Sequence, residues 1–325
     1  MKKAIAVGFL VTLWYSSVQA QQKAQYSQYM INQYVLNPAL TGASDYGHIV
    51  AGYRNQWTTS TGAFDGALPK TYYISGHSSI GRGSKKPHPY RNKHMGYHGV
   101  GGMVSNDQTG PTSRLGILGS YAYNERLSGS WRISLGISAG VQQYTLNGPS
   151  LEFADSEPMN TQRKWVPDGN IGGWVYNKHF YAGAAVAQIF QSRLGFDIPV
   201  GNGSTDKISK LANHYFFTTG IKLDVSKDWA IIPSVMMKFN NPAPVSLDIN
   251  AKVRYKDMIW LGTSYRNKDA FAFLFGVVLN SQFEFGYSYD LTVSQIKNYT
   301  NGSHEFMLGY RIWPRARIGS PSDFW

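Results

Sequence analysis

From Val245 to Tyr255 apolar and polar residues alternate without a break. Val245, Leu247, Ile249, Ala251, Val253 and Tyr255 share one parity; Ser246, Asp248, Asn250, Lys252 and Arg254 share the other. A strand sends successive side chains to opposite faces, so one face of this sheet is apolar and the other polar and charged. The pattern recurs with Phe283, Phe285, Tyr287 and Tyr289 set against Glu284, Gly286, Ser288 and Asp290. It recurs again with Phe306, Leu308, Tyr310 and Ile312 set against Glu305, Met307, Gly309 and Arg311. A lipid-spanning barrel shows the apolar face to lipid and the polar face to its lumen.

Alternating segments fall at 47–57, 69–80, 96–106, 112–126, 129–144, 168–178, 179–189, 213–225, 228–240, 245–256, 257–267, 269–280, 282–291 and 303–313. This predicts an all-β fold, a transmembrane antiparallel barrel of about 14 strands over residues 47–313. An even count is what a single-chain bacterial barrel requires. Long connections at 58–68, 145–167, 190–212 and 292–302 alternate with short ones such as Asn177-Lys178, Ser226-Lys227 and Asn280-Ser281. Outer-membrane barrels carry long loops outside the cell and short turns in the periplasm. That rule puts the mature N- and C-termini in the periplasm.

One expected turn, Gly81–Met95, is long and basic, with Arg82, Lys85, Lys86, Arg91 and Lys93. A solvated turn accounts for such a run. The functional alternative is a partner-binding surface for a periplasmic protein or for outer-membrane lipid.

Ahead of the wall, Lys2 and Lys3, the apolar run Ala4–Tyr15 and the small-residue site Val18-Gln19-Ala20 form a secretory signal peptide over residues 1–20. Residues 21–46 are rich in amides (Gln21, Gln22, Gln25, Gln28, Asn32, Gln33, Asn37) and nearly uncharged. A barrel of 14 strands is too wide for wall side chains alone to fill. An amide-rich segment satisfies lumen hydrogen bonds without burying charge. We therefore expect 21–46 to plug or line the lumen, the alternative being a disordered leader. Pro314 ends the wall, leaving 314–325 as a periplasmic tail.

Composition fits an exported barrel. The chain has 22 Tyr and 9 Trp, residues suited to the water–lipid boundary, and no Cys. Mean hydropathy is only −0.31, as expected when alternate residues alone face lipid. The net charge of +12 is scattered over many turns of an exported chain, which argues against nucleic acid as partner.

Gln25-Tyr26-Ser27-Gln28-Tyr29-Met30, followed by Asn37-Pro38-Ala39-Leu40-Thr41-Gly42, resembles the PorP/SprF family of the type IX secretion system and gliding motility. Ser27, Gln28, Tyr29, Met30, Asn37, Pro38, Ala39 and Gly42 carry the match, and the order of signal, motif and barrel extends it over nearly the whole chain. The segment after Trp313 departs from the pattern. The resemblance implies a non-enzymatic outer-membrane barrel that binds a cognate secreted protein, adhesin-like with a type B C-terminal sorting domain, and supports its export or surface attachment. It also implies contact with periplasmic lipoproteins of the machinery.

Physically, Pro38 locks its own φ and biases Asn37 away from helix, giving a fixed turn, and Gly42 tolerates positive φ before the first strand. The predicted lumen faces bring Asp248, Lys252, Arg254, Glu284, Asp290, Glu305 and Arg311 into one charge network that holds the plug. The 8 His are scattered, and those near 88–98 lie among cations, so no metal or other cofactor is expected. A channel for small or hydrophobic solutes, like the fourteen-strand fatty-acid channels, is the rival function.

Overall fold

The computed structural model describes residues 25–59, 68–80, 96–151, 160–199, 205–240 and 243–312. The signal segment, the basic connection bearing Arg82, Lys85, Lys86, Arg91 and Lys93, and the tail 314–325 lie outside the described residues.

Fourteen strands make the wall. They are β1 (Gly47–Asn55), β2 (Lys70–Ile80), β3 (Tyr97–Thr109), β4 (Thr112–Arg126), β5 (Arg132–Leu146), β6 (Gln162–Tyr176), β7 (Phe180–Ala187) and β8 (His214–Ile221, continued by Leu223–Asp224). The rest are β9 (Trp229–Asn240), β10 (Ala243–Tyr255), β11 (Ile259–Arg266), β12 (Ala270–Leu279), β13 (Phe283–Thr292) and β14 (Ser303–Ile312). Each pairs antiparallel with its sequence neighbours, and β1 pairs with β14 from Gly47↔Ile312 to Asn55↔His304. The sheet has no free edge, which removes the usual route to edge-to-edge association.

The exposure pattern sorts the two faces. Leu135, Leu261, Phe273 and Leu308 are 53–63% exposed on the outside, while Asp248, Glu284, Asp290 and Glu305 on the inside are at most 2% exposed. Aromatic pairs mark both ends of the apolar band. Trp229–Tyr255 (4.6 Å) and Phe283–Tyr310 (5.1 Å) lie at the short-turn rim, and Tyr53–Tyr72 (4.8 Å) and Tyr265–Phe271 (6.0 Å) at the other.

Two features differ from the sequence reading. β6 starts at Gln162 rather than 168, and the outward positions of this added stretch, Arg163, Trp165 and Pro167, are not uniformly apolar. Between β7 and β8 a hairpin, Arg193–Pro199 with Thr205–Lys210, interrupts the expected loop. Its Leu194 and Phe196 pack with Tyr144, Leu146, Val166 and Leu211, so the hairpin leans over the long-connection mouth.

Candidate functional site

Residues 25–46 run through the lumen from one rim to the other. Gln25 Nε2 donates to Asp269 Oδ2 at 3.0 Å, in the β11–β12 connection at the long-connection rim. The segment ends at Gly47, where β1 begins beside Ile312 at the short-turn rim. Residue 25 therefore lies at the opposite rim from the end of β14; the two ends of the mature chain, expected on one side, lie outside the described residues.

Three short 3₁₀ turns, Ser27–Met30, Gln33–Val35 and Pro38–Leu40, let the segment meet the wall on all sides. Its upper end is held by charge. Glu305 Oε2 accepts the Ser27 backbone N–H at 2.7 Å. The Ser27 hydroxyl donates to Asp290 Oδ2 at 2.6 Å and accepts from Arg54 Nη1 at 2.8 Å. Arg54 pairs with Asp290 (2.8 Å) and Glu305 (3.2 Å), and Arg266 pairs with Asp290. All four side chains are at most 2% exposed, so each ion needs these partners to offset its lost hydration. Gln28 Nε2 donates to the Glu305 carbonyl at 2.8 Å.

The middle is held by apolar packing and neutral hydrogen bonds. Tyr26, Tyr29, Met30, Ile31 and Val35 share a buried cluster with wall residues Val50, Tyr73, Phe216, Met236, Trp260, Leu274 and Met307. The Tyr29 hydroxyl donates to Asn250 Oδ1 (3.0 Å), Asn32 to Ser75 Oγ (3.0 Å) and Gln33 to the Tyr181 hydroxyl (3.2 Å).

The lower end is held by backbone proximity. Asn37 donates to the carbonyls of Gly173 (3.1 Å) and Ala184 (3.2 Å), and its Oδ1 accepts from Ala39 N–H at 2.9 Å, capping the turn that Pro38 starts. Ser134 donates to the Ala39 carbonyl, and His77 Nδ1 accepts from Gly42 N–H at 3.2 Å. The wall is carved to admit this. A Cβ on Gly99, Gly136 or Gly172 would fall on the Thr41 carbonyl, the Pro38 carbonyl or Asn37 Oδ1 respectively. Gly42 takes φ +66°, and a side chain there would meet the backbone of Ser78 and Gly99.

Two described cavities between segment and wall, beside Tyr34 and beside Gln33, measure about 20 and 10 Å³. Each has room for about one water. Among the described residues no group of three His, Cys, Asp or Glu side chains is placed to hold a metal ion.

Of the seven charges expected to form one network, Asp248, Lys252, Arg254, Glu284, Asp290 and Glu305 are buried on the inner face and Arg311 is half-buried. Asp290 and Glu305 share Arg54; Glu284 takes Arg311 (3.2 Å) and His48 (3.3 Å); Asp248 takes Lys238 (2.7 Å); Arg254 takes Asp257 (2.8 Å). Lys252 lies on the inner face, 2% exposed. Arg54 and Arg266, central to the upper clamp, were missed. Strand parity would have found both, since each continues the inward set of its own strand. The motif residues Ser27, Gln28, Tyr29, Met30, Asn37, Pro38 and Gly42 are all buried among wall residues.

A family model described as type IX secretion system membrane protein PorP/SprF matches residues 18–310. The chain belongs to the PorP/SprF family. No curated protein sequence matches it. Among solved structures it is similar to the Ralstonia pickettii toluene transporter TbuX at 9% identity, over 87% of this chain and 92% of that one, with TM-score 0.51. It is also similar to a Pseudomonas aeruginosa FadL homologue at 8% identity, over 83% and 90% of the two chains, with TM-score 0.50. At such identities the likeness shows the fold alone. As a family member with this fold, the chain is an integral outer-membrane β-barrel.

Proposed function

We propose that this PorP/SprF member is a closed, non-enzymatic docking barrel that holds a secreted adhesin-like partner during its export or surface attachment. The carrying observation is the buried segment 25–46, tied to the wall from rim to rim with water-sized gaps beside it. A lumen filled this way serves poorly as a conduit, and function then resides in the rims. The long-connection rim faces outward and the short turns face the periplasm, by the general rule for such barrels. The basic connection with Arg82, Lys85, Lys86, Arg91 and Lys93 is then periplasmic and is the proposed contact for lipoproteins of the machinery.

The second reading is a channel for hydrophobic solutes. Its support is that the toluene transporter TbuX shares the fold.

Affinity purification of the tagged barrel from outer membranes in mild detergent, with mass spectrometry of its companions, tests the docking reading. Co-purification of a large secreted protein with a C-terminal sorting domain, diminished when the five basic residues or the outer rim are altered, is the expected result. Recovery of the barrel alone, together with solute-dependent conductance, would overturn it in favour of the channel.

A further inference from the structure

The outer surface of β2–β6 is layered in register. The row Ile74–Val104–Ile117–Val141–Pro167, paired strand to strand, is apolar. One step toward the long-connection rim is Tyr72–Asn106–Leu115–Gln143–Trp165, a mixture of aromatic, apolar and amide side chains. One step further is Lys70–Gln108–Ser113–Thr145–Arg163, wholly polar, with a cation at each end. Hydrocarbon ends at the aromatic row, because Tyr and Trp settle at the headgroup level. The polar row therefore stands where lipid headgroups lie, ~19 Å from end to end at ~4.8 Å per strand spacing.

Above this row the connections form an open groove of about 540 Å³, lined also by Pro111, Thr112, Asn147 and Thr161. Asn147 N–H donates to the Pro111 carbonyl at 2.8 Å and the Thr161 hydroxyl to Asn147 Oδ1 at 3.2 Å, which fixes the groove's edges. Neither the groove's described lining nor the two rows beneath it contain a carboxylate. Across the barrel the apolar side chains run nearly to the rim, as in Ile249–Tyr265–Phe271–Leu291.

We propose that the polar row of β2–β6 binds the phosphorylated sugar head group of an outer-leaflet glycolipid. Lys70 and Arg163 take the phosphates, and Gln108, Ser113 and Thr145 hydrogen-bond the sugar hydroxyls between them. Cations flanking a row of neutral donors and acceptors, at headgroup height, match a sugar with separated negative charges. The choice of a glycolipid over a phospholipid rests on the outward orientation given under Proposed function.

Native mass spectrometry of the purified barrel tests it, with lipid A, enzymatically dephosphorylated lipid A and phosphatidylglycerol as probes. The expected result is retention of lipid A at detergent levels that strip the dephosphorylated form. Retention should fall at least tenfold in Lys70→Gln/Arg163→Gln and stay unchanged in the opposite-rim control Lys227→Gln. Equal retention of both forms of lipid A, or no loss in the double variant, would overturn the site. Preference for phosphatidylglycerol would overturn the glycolipid assignment. A cysteine at Asn298, on the same rim, labelled by impermeant maleimide on intact cells checks orientation separately, in a chain that has no native cysteine.

Discussion

The two ends of the lumen segment are held by opposite means. At Ser27 the wall supplies buried ions, with Arg54 and Arg266 set against Asp290 and Glu305. At Asn37–Gly42 it supplies absence, with glycines at 99, 136 and 172 where any side chain would strike the segment's backbone or Asn37. The charged end is strong only while every partner is present, since a lone buried ion is costly. The glycine end is insensitive to charge and sensitive to volume, because Gly99 and Gly136 face backbone atoms that cannot rotate away and Gly172 faces an Asn37 side chain held by its own hydrogen bonds.

The largest effect should come from breaking the charged end. Arg54→Ala leaves Asp290 and Glu305 facing each other with one cation fewer, a loss of about 3–5 kcal/mol. It should appear as a lower urea midpoint of the barrel refolded in vesicles, with protease cutting newly admitted to residues 25–30. Next, Gly136→Val should cost about 1–3 kcal/mol by overpacking. Here cutting should appear around residues 37–43 while the upper end stays protected. A third, smaller change is Ser27→Ala, which removes a hydroxyl bonded to Asp290 and Arg54. Its expected loss is about 1–2 kcal/mol, and Ser27→Thr should recover part of it. The smallest effect belongs to salt. Ions this deeply buried are little screened, so raising ionic strength tenfold should leave protection of residues 25–30 nearly unchanged. Salt-induced release would mean that the upper end is wet and the comparison false.

The two ends also differed in how far the sequence revealed them. Fourteen strands were legible because lipid on one side and polar filling on the other impose strict alternation, clearest in β10, β13 and β14. The same parity put Asp290 and Glu305 on the inner face. It could not say that Glu284 would turn to His48 and Arg311 while Asp290 turned to Arg54, because pairing depends on register around a closed sheet. The glycine end was illegible for a deeper reason. Gly99, Gly136 and Gly172 sit on three different strands, and their common purpose appears only when the barrel closes on Asn37–Thr41. The hairpin over the mouth was missed because its strands add nothing to the lipid-facing wall and carry no lipid signal of their own.

The central claim is that the segment closes the lumen. Ion conductance of single purified barrels in planar bilayers tests it most directly, comparing the intact chain with Arg54→Ala/Gly136→Val, in which both ends are broken. The account predicts no current above lipid background for the intact barrel and openings for the double variant. Steady conductance by the intact barrel, unchanged in the double variant, would contradict it.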